Sequence, residues 1–86
     1  MPERYEILVS GAAKRQLAAL PYSMYLRVKP LLTDLRDSPR PHGCKKLAGS
    51  KSKYRIRVGD YRVLYEILDS QRLIRVYRVK HRSEAY

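Results

Sequence analysis

The sequence predicts an α+β fold in which one strand, two helices and a three-strand antiparallel meander follow one another. Both helices should cover one face of a small antiparallel sheet and leave the other face open and basic. Three observations predict this. Residues 54–58 and 61–65 alternate apolar or aromatic with basic side chains on either side of Gly59-Asp60, a strong short-range hairpin signal. Residues 11–37 instead repeat their apolar positions at three- and four-residue steps, the helical period. The turn-forming stretch Asp69-Ser70-Gln71-Arg72 then leads into another alternating run. With 86 residues the chain is long enough for one such domain with one core, and too short for two.

Residues 5–9 read as the first strand, with Tyr5, Ile7 and Val9 alternating against Glu6 and Leu8. Ser10 supplies an N-cap for a helix over residues 11–20, whose Ala13, Leu17 and Leu20 form one stripe before Pro21 closes it. A second helical pattern over residues 23–37 carries Tyr25, Val28, Leu32 and Leu35. Pro30 falls inside that pattern. An interior proline removes one backbone hydrogen bond and meets the carbonyl four residues earlier, so a kink near residues 26–29 or a split into two helices is expected. Residues 38–43 and 49–52 form an irregular connection around Leu47-Ala48, and a connection this long in so small a domain is often functional.

Pairing Val58 with Tyr61 sets Arg57 opposite Arg62, Ile56 opposite Val63, Arg55 opposite Leu64 and Tyr54 opposite Tyr65. One face then carries Tyr54, Ile56, Val58, Tyr61, Val63 and Tyr65, and the other carries Arg55, Arg57 and Arg62. Like charges directly opposite each other destabilise a sheet, a cost that an anion would relieve, and guanidinium forks match phosphate oxygens. Solvated arginines on an open face fit the same pattern without a ligand. The last strand, over residues 73–80, pairs Leu68 with Leu73 and Glu66 with Arg75, an opposite-charge contact that supports this register. Tyr77 then shares the arginine face, where half-buried packing and base stacking are both open to it. The same register turns Arg78 and Lys80 toward the core, so either the strand leaves the core early or the register slips by one.

Lys and Arg number 19 against 8 Asp and Glu, a formal net charge of +11 that calls for a partner of opposite sign. Residues 38–59 contain no carboxylate but hold Arg40, Lys45, Lys46, Lys51, Lys53, Arg55 and Arg57. No run approaches the roughly 18 apolar residues of a spanning helix, and no basic amphipathic anchor stands out, so nucleic acid is expected in preference to a membrane. Cys44 is the single cysteine, which rules out an internal disulfide; with an N-terminal stretch unlike a signal peptide, it suggests the cytoplasm. Beside Lys45 and Lys46 its thiol could gain thiolate character, but no His or Asp is spaced to activate it, and it reads first as an incidental loop cysteine. His42 and Cys44 offer too few ligands for zinc, and no cofactor is called for.

Together these pieces resemble the RelE/ParE toxin superfamily, and within it the RelE-like ribosome-dependent messenger-RNA endonucleases of type II toxin–antitoxin systems. The resemblance is carried by the short first strand, the helical pair ending in Asp37-Ser38-Pro39-Arg40, Lys46-Leu47-x-Gly49, Gly59-Asp60-Tyr61-Arg62-Val63-Leu64-Tyr65 and the closing His81-Arg82-Ser83-Glu84-Ala85-Tyr86. It spans nearly the whole chain as a single domain. It implies a toxin that inhibits translation by cleaving messenger RNA in the ribosomal A site and is neutralised by a cognate antitoxin that wraps it. Such toxin–antitoxin complexes often also contact their own operator DNA. The implied chemistry is metal-free: a ribose 2′-hydroxyl attacks the neighbouring phosphate, leaving a 2′,3′-cyclic phosphate and a free 5′-hydroxyl.

By the same resemblance Arg55 and Arg57 bind phosphate and neutralise charge, Arg62 stabilises the transition state, and Tyr86 stands near the reacting nucleotide. Lys45, Lys46, Lys51, Lys53, Tyr77 and Arg82 are the expected RNA-binding residues. Related sequences often have lysines where this one has Arg55 and Arg57, and arginine is a poor proton acceptor near neutral pH. His81 is therefore the candidate acid or base by elimination, while a strand-end histidine that binds phosphate or packs fits its position equally. Two other classes share these features. ParE-like relatives use the same scaffold to inhibit DNA gyrase by binding, and a non-catalytic RNA-binding module would need only the charge. The closing residues 82–86 favour the nuclease.

Overall fold

The computed structural model describes residues 4–84, in the order β1 (Glu6–Val9), α1 (Gly11–Ala18), α2 (Tyr22–Leu35), β2 (Lys45–Lys46), β3 (Lys53–Val58), β4 (Tyr61–Leu68) and β5 (Leu73–His81), with 3₁₀ turns at Asp69–Gln71 and Arg82–Glu84. The class is α+β, as expected. The strands form one sheet in the order β1-β5-β4-β3-β2. It is mixed rather than wholly antiparallel, because β1 lies parallel to β5, with Ile7 beside Ile74 and Val9 beside Val76. Parallel neighbours need a long crossover, and α1, α2 and the meander together supply it. The fifth strand, β2, is a two-residue edge antiparallel to β3, too short to show any alternation in the sequence.

Ala13, Val28 and Leu35 from the helices meet Tyr54, Ile56, Val58, Val63, Tyr65, Ile67, Ile74, Val76 and Val79 from the sheet in one core. Both helices therefore cover the same face. Ser10 caps α1 as expected: its hydroxyl accepts from the Ala13 N–H at 3.1 Å and donates to the Tyr77 carbonyl at 3.3 Å, tying the helix start to β5. In α2 the inward stripe includes Met24, while Tyr25 is half-buried and stacks on the exposed Tyr22 instead. The helix does not split at Pro30 but runs unbroken from Tyr22 to Leu35. Pro30 and Leu26, four residues earlier, are both exposed, so water can replace the missing donor at the Leu26 carbonyl.

The β3–β4 register is the expected one, Val58 with Tyr61 through Tyr54 with Tyr65. Gly59 opens the turn at φ 58°, in the left-handed region that disfavours a side chain. Between β4 and β5 the pairing Leu68 with Leu73 and Glu66 with Arg75 also holds, but only as far as Tyr65 with Val76. Leu64 then faces Arg78, so Tyr77 is an extra residue on β5, a β-bulge. The bulge corrects the register beyond it by one. Val79 pairs with Val63 and enters the core at 3% exposure, and Arg78 and Lys80 pair with Leu64 and Arg62 instead of turning inward.

Candidate nucleic-acid interface

Alternation along paired strands sorts the side chains directed away from the helices into rows across the sheet. Nearest the hairpin tip, Arg57 of β3, Arg62 of β4 and Lys80 of β5 stand side by side. Lys45, Arg55, Leu64 and Arg78 form the next row, in which Leu64 is buried. Neither row contains a carboxylate. The third row, Lys53, Glu66 and Arg75, differs: the Glu66 carboxylate meets Arg75 Nη1 at 3.2 Å and accepts from the Ser52 hydroxyl at 3.0 Å. Positive charge therefore gathers toward the tip.

At that tip Arg57, Gly59, Asp60, Tyr61, Arg62 and Arg82 line a cleft of about 90 Å³. The sequence brings Arg82 there because the chain turns back at the end of β5. Its N–H donates to the Asp60 carbonyl at 2.7 Å, and its Nε lies 3.8 Å from Asp60 Oδ1. Arg57 is exposed, whereas Arg62 is half-buried with Nε and Nη1 shielded from solvent. Shielding lowers the local dielectric and strengthens the field of a fixed cation on a nearby anion. Three guanidinium groups around a cleft of this size can grip the oxygens of one phosphate and follow them as charge builds up in phosphoryl transfer.

The other expected residues lie at different distances from this cleft. Arg55 and Lys45 occupy the neighbouring row. Lys53 sits four residues from Arg57, about 13 Å along the strand, with Nζ 5.5 Å from the centre of the Tyr77 ring. Tyr77 is half-buried there, its phenol pushed up first by burial and then by Glu66, as half-buried sheet packing requires. Lys46 pairs with Tyr54 at the sheet edge, and Lys51 lies in the irregular segment before β3, both exposed. His81 pairs with Tyr61 and so faces the helix side, its ring edge-on to the Tyr61 ring at 5.1 Å. Its Nδ1 accepts from the Ser83 N–H at 3.1 Å and lies 2.8 Å from the Ser83 hydroxyl. The structure thus unites Arg57, Arg62 and Arg82 and separates His81 from them by the thickness of β5. Tyr86 lies outside the described residues.

Lys80 and Arg78 are members of the rows that the sequence reading turned the wrong way. The usable signal was Val76 and Val79, two apolar residues three apart in a strand, which can both face inward only across a bulge. Arg40, by contrast, serves the loop. Its Nη2 meets Asp69 Oδ2 at 2.7 Å, its Nε donates to the Tyr54 hydroxyl at 3.1 Å, and Tyr5 donates to Asp69 Oδ1 at 2.6 Å. These bonds, Arg40 first and Tyr5 second, hold the Asp69 carboxyl below its ordinary range. Cys44 lies in the loop just before β2, half-buried against the core and next to Tyr65, whose phenol is pushed up chiefly by burial and donates to the Pro39 carbonyl at 3.0 Å. Among the described residues no group of three or more His, Cys, Asp or Glu could hold a metal, and no helix is long and apolar enough to cross a membrane.

Residues 7–86 match the family described as ParE toxin of type II toxin-antitoxin system, parDE. The chain is 30% identical over 86 residues to toxin RelE1 of Methanocaldococcus jannaschii, covering 96% of each. It also matches the archaeal RelE–RelB complex from Pyrococcus horikoshii OT3 with a TM-score of 0.83 and 28% identity, over 92% of this chain and 96% of that one. The toxin–antitoxin complex RelBE2 of Mycobacterium tuberculosis matches with a TM-score of 0.79 and 29% identity, over 91% and 98%. The family match covers nearly the whole chain, and the strand order that builds the arginine cleft is embedded in a fold shared with solved RelE toxins; the chain belongs to the RelE/ParE superfamily and is a RelE-like toxin of a toxin–antitoxin system.

Proposed function

We propose that this toxin is a ribosome-dependent, metal-independent endoribonuclease that cuts messenger RNA in the A site. The observation that carries the reading is the cleft in which Arg57, Arg62 and Arg82 converge beside the Gly59-Asp60 turn. The scissile phosphate sits in this cleft, where Arg57 and Arg82 hold its oxygens and the shielded Arg62 meets the charge that accumulates on the phosphorane. Arg55, Lys45, Arg78 and Lys80 track the flanking backbone. His81 acts indirectly: through Ser83 it holds the Arg82–Glu84 turn that delivers Arg82. Tyr86 follows that turn and serves the reacting nucleotide, by stacking or by its hydroxyl.

The test is primer extension on purified ribosomes programmed with a defined message. Wild type should cut in the A-site codon and leave a 2′,3′-cyclic phosphate. A 2′-deoxy nucleotide on the 5′ side of the scissile phosphate should block the cut; cleavage there would remove 2′-hydroxyl attack from the mechanism. Because the matching family is described as ParE toxin, a gyrase supercoiling assay belongs beside it. Gyrase inhibition without RNA cleavage would replace the nuclease reading, and RNA binding with neither activity would make the protein a binding module.

A partner follows from the same charge. A chain of net charge +11 that is toxic when free is masked by a cognate antitoxin, as the RelE chains of P. horikoshii and M. tuberculosis are found with RelB. An acidic segment that folds onto the sheet would neutralise charge and bury apolar surface at once. Co-expression of a reading frame adjacent to its gene should restore growth, and failure of every adjacent frame to do so would count against the toxin–antitoxin pairing.

A further inference from the structure

We infer that Arg27 of α2 is an additional RNA-binding residue, which takes the backbone phosphate next to the one held in the arginine cleft. This deepens the nuclease reading and rests on it. Gly59 forms one wall of the cleft. A Cβ at that position would lie 2.9 Å from Met24 Cε, 3.1 Å from Arg27 Nη1 and 3.7 Å from Arg27 Cζ. The absence of a side chain at Gly59 therefore lets α2 bring a guanidinium directly against the turn.

The neighbours of Arg27 on the helix, Met24 and Val28, pack into the core, so the helix is anchored and the point from which the Arg27 side chain leaves it is set. Arg27 itself is exposed, and among the described residues no ion pair or hydrogen bond engages its guanidinium. The cation is thus aimed at the rim of the cleft from a second element. Asp60 is the one carboxylate among the described residues that line the cleft, and it is already beside Arg82. Another cation brought to such a rim costs self-repulsion, and an RNA strand presenting successive phosphates relieves it. The competing role is packing alone, with the aliphatic stem of Arg27 covering the turn.

Arg27→Met separates the two, because it keeps a stem of similar length and removes the charge. Binding of purified wild type and variant to a 2′-O-methyl hexanucleotide and to a dinucleoside monophosphate is measured by anisotropy between 50 and 200 mM salt, that is, over about the range where counterion release is well resolved. The expected result is a hexanucleotide salt slope shallower by about 0.7 in the variant, the increment of one single-strand phosphate contact, with affinity three- to ten-fold lower at the low-salt end, roughly one weak ionic contact. The dinucleotide should bind both proteins alike, and the melting temperature should not move. An unchanged hexanucleotide slope, a melting temperature that falls together with affinity, or no oligonucleotide binding by wild type would overturn the assignment. The assay uses uncleavable RNA and no ribosomes. If wild type fails to cut on ribosomes while the slope difference persists, the nuclease reading falls and the Arg27 contact stands.

Discussion

Arg57 and Arg62 face each other across β3 and β4 at a spacing where two guanidinium groups repel, so the fold retains them at a local cost. Replacing Arg62 with Ala removes that repulsion. The melting temperature should stay within about 4 °C, the shift of less than 1 kcal/mol in a domain of this size, while ribosome-dependent cleavage falls by about 10²- to 10³-fold, the scale of a lost oxyanion contact. Unfolding of the variant would make Arg62 structural instead. His81 offers a second test at this scale. His81→Asn keeps an acceptor for the Ser83 N–H and should retain most activity, whereas His81→Ala should lose it; equal loss in both would restore proton transfer to the imidazole. Gly59→Ala combines an unfavourable φ with contact against Met24, so it should lower stability by at least 1–2 kcal/mol, read by thermal melts.

At the scale of elements, the bulge in β5 decides which cations reach the site. Since Tyr77 is the extra residue, deleting it should leave Leu64 facing Arg78 and Val63 facing Val79 in a regular ladder. The deletion variant should therefore still unfold cooperatively, whereas inserting one residue after Arg78 should expel Val79 from the core and lower the melting temperature by 4 °C or more, roughly the effect of 1 kcal/mol. The hairpin register was legible because the Gly-Asp turn and the alternation agree, and the α1 cap because Ser10 precedes the apolar stripe. The bulge showed in the sequence only as a loss of alternation after Tyr77, which a strand leaving the core early would produce equally. The anchoring of the loop left no local signal, because Arg40 and Asp69, 29 residues apart, meet only in the folded chain. Their contact sets a pH dependence. A folded-state carboxyl held below its unfolded value contributes stability that is complete above the unfolded value near 3.9 and is lost as pH falls through the folded one. The melting-temperature gap between wild type and Asp69→Asn should thus be steady above about pH 5 and close below it, and a gap unchanged at pH 2 would assign the effect elsewhere.

Over the whole molecule, the cleft depends on segments remote in sequence. Arg57 and Arg62 come from a hairpin and Arg82 from the turn after β5, while Arg27 reaches the Gly59 turn from a helix. The sequence reading identified the hairpin share because those residues are neighbours across one turn, and it reached Arg82 only through family resemblance, since nothing local reports that residues 60 and 82 touch. The parallel pairing of β1 with β5 was likewise invisible locally, and it has a mechanical consequence. Force applied between the start of β1 at Glu6 and the end of β5 at His81 runs along both strands in opposite senses, so their hydrogen-bonded rungs are loaded together in shear. Force applied between Lys53 and Glu66, the open end of the β3–β4 hairpin, loads one rung at a time and unzips it. In optical tweezers the first geometry should rupture at distinctly higher force than the second. A machine that unfolds this toxin by drawing the start of β1 away from the end of β5 therefore meets its strongest direction first.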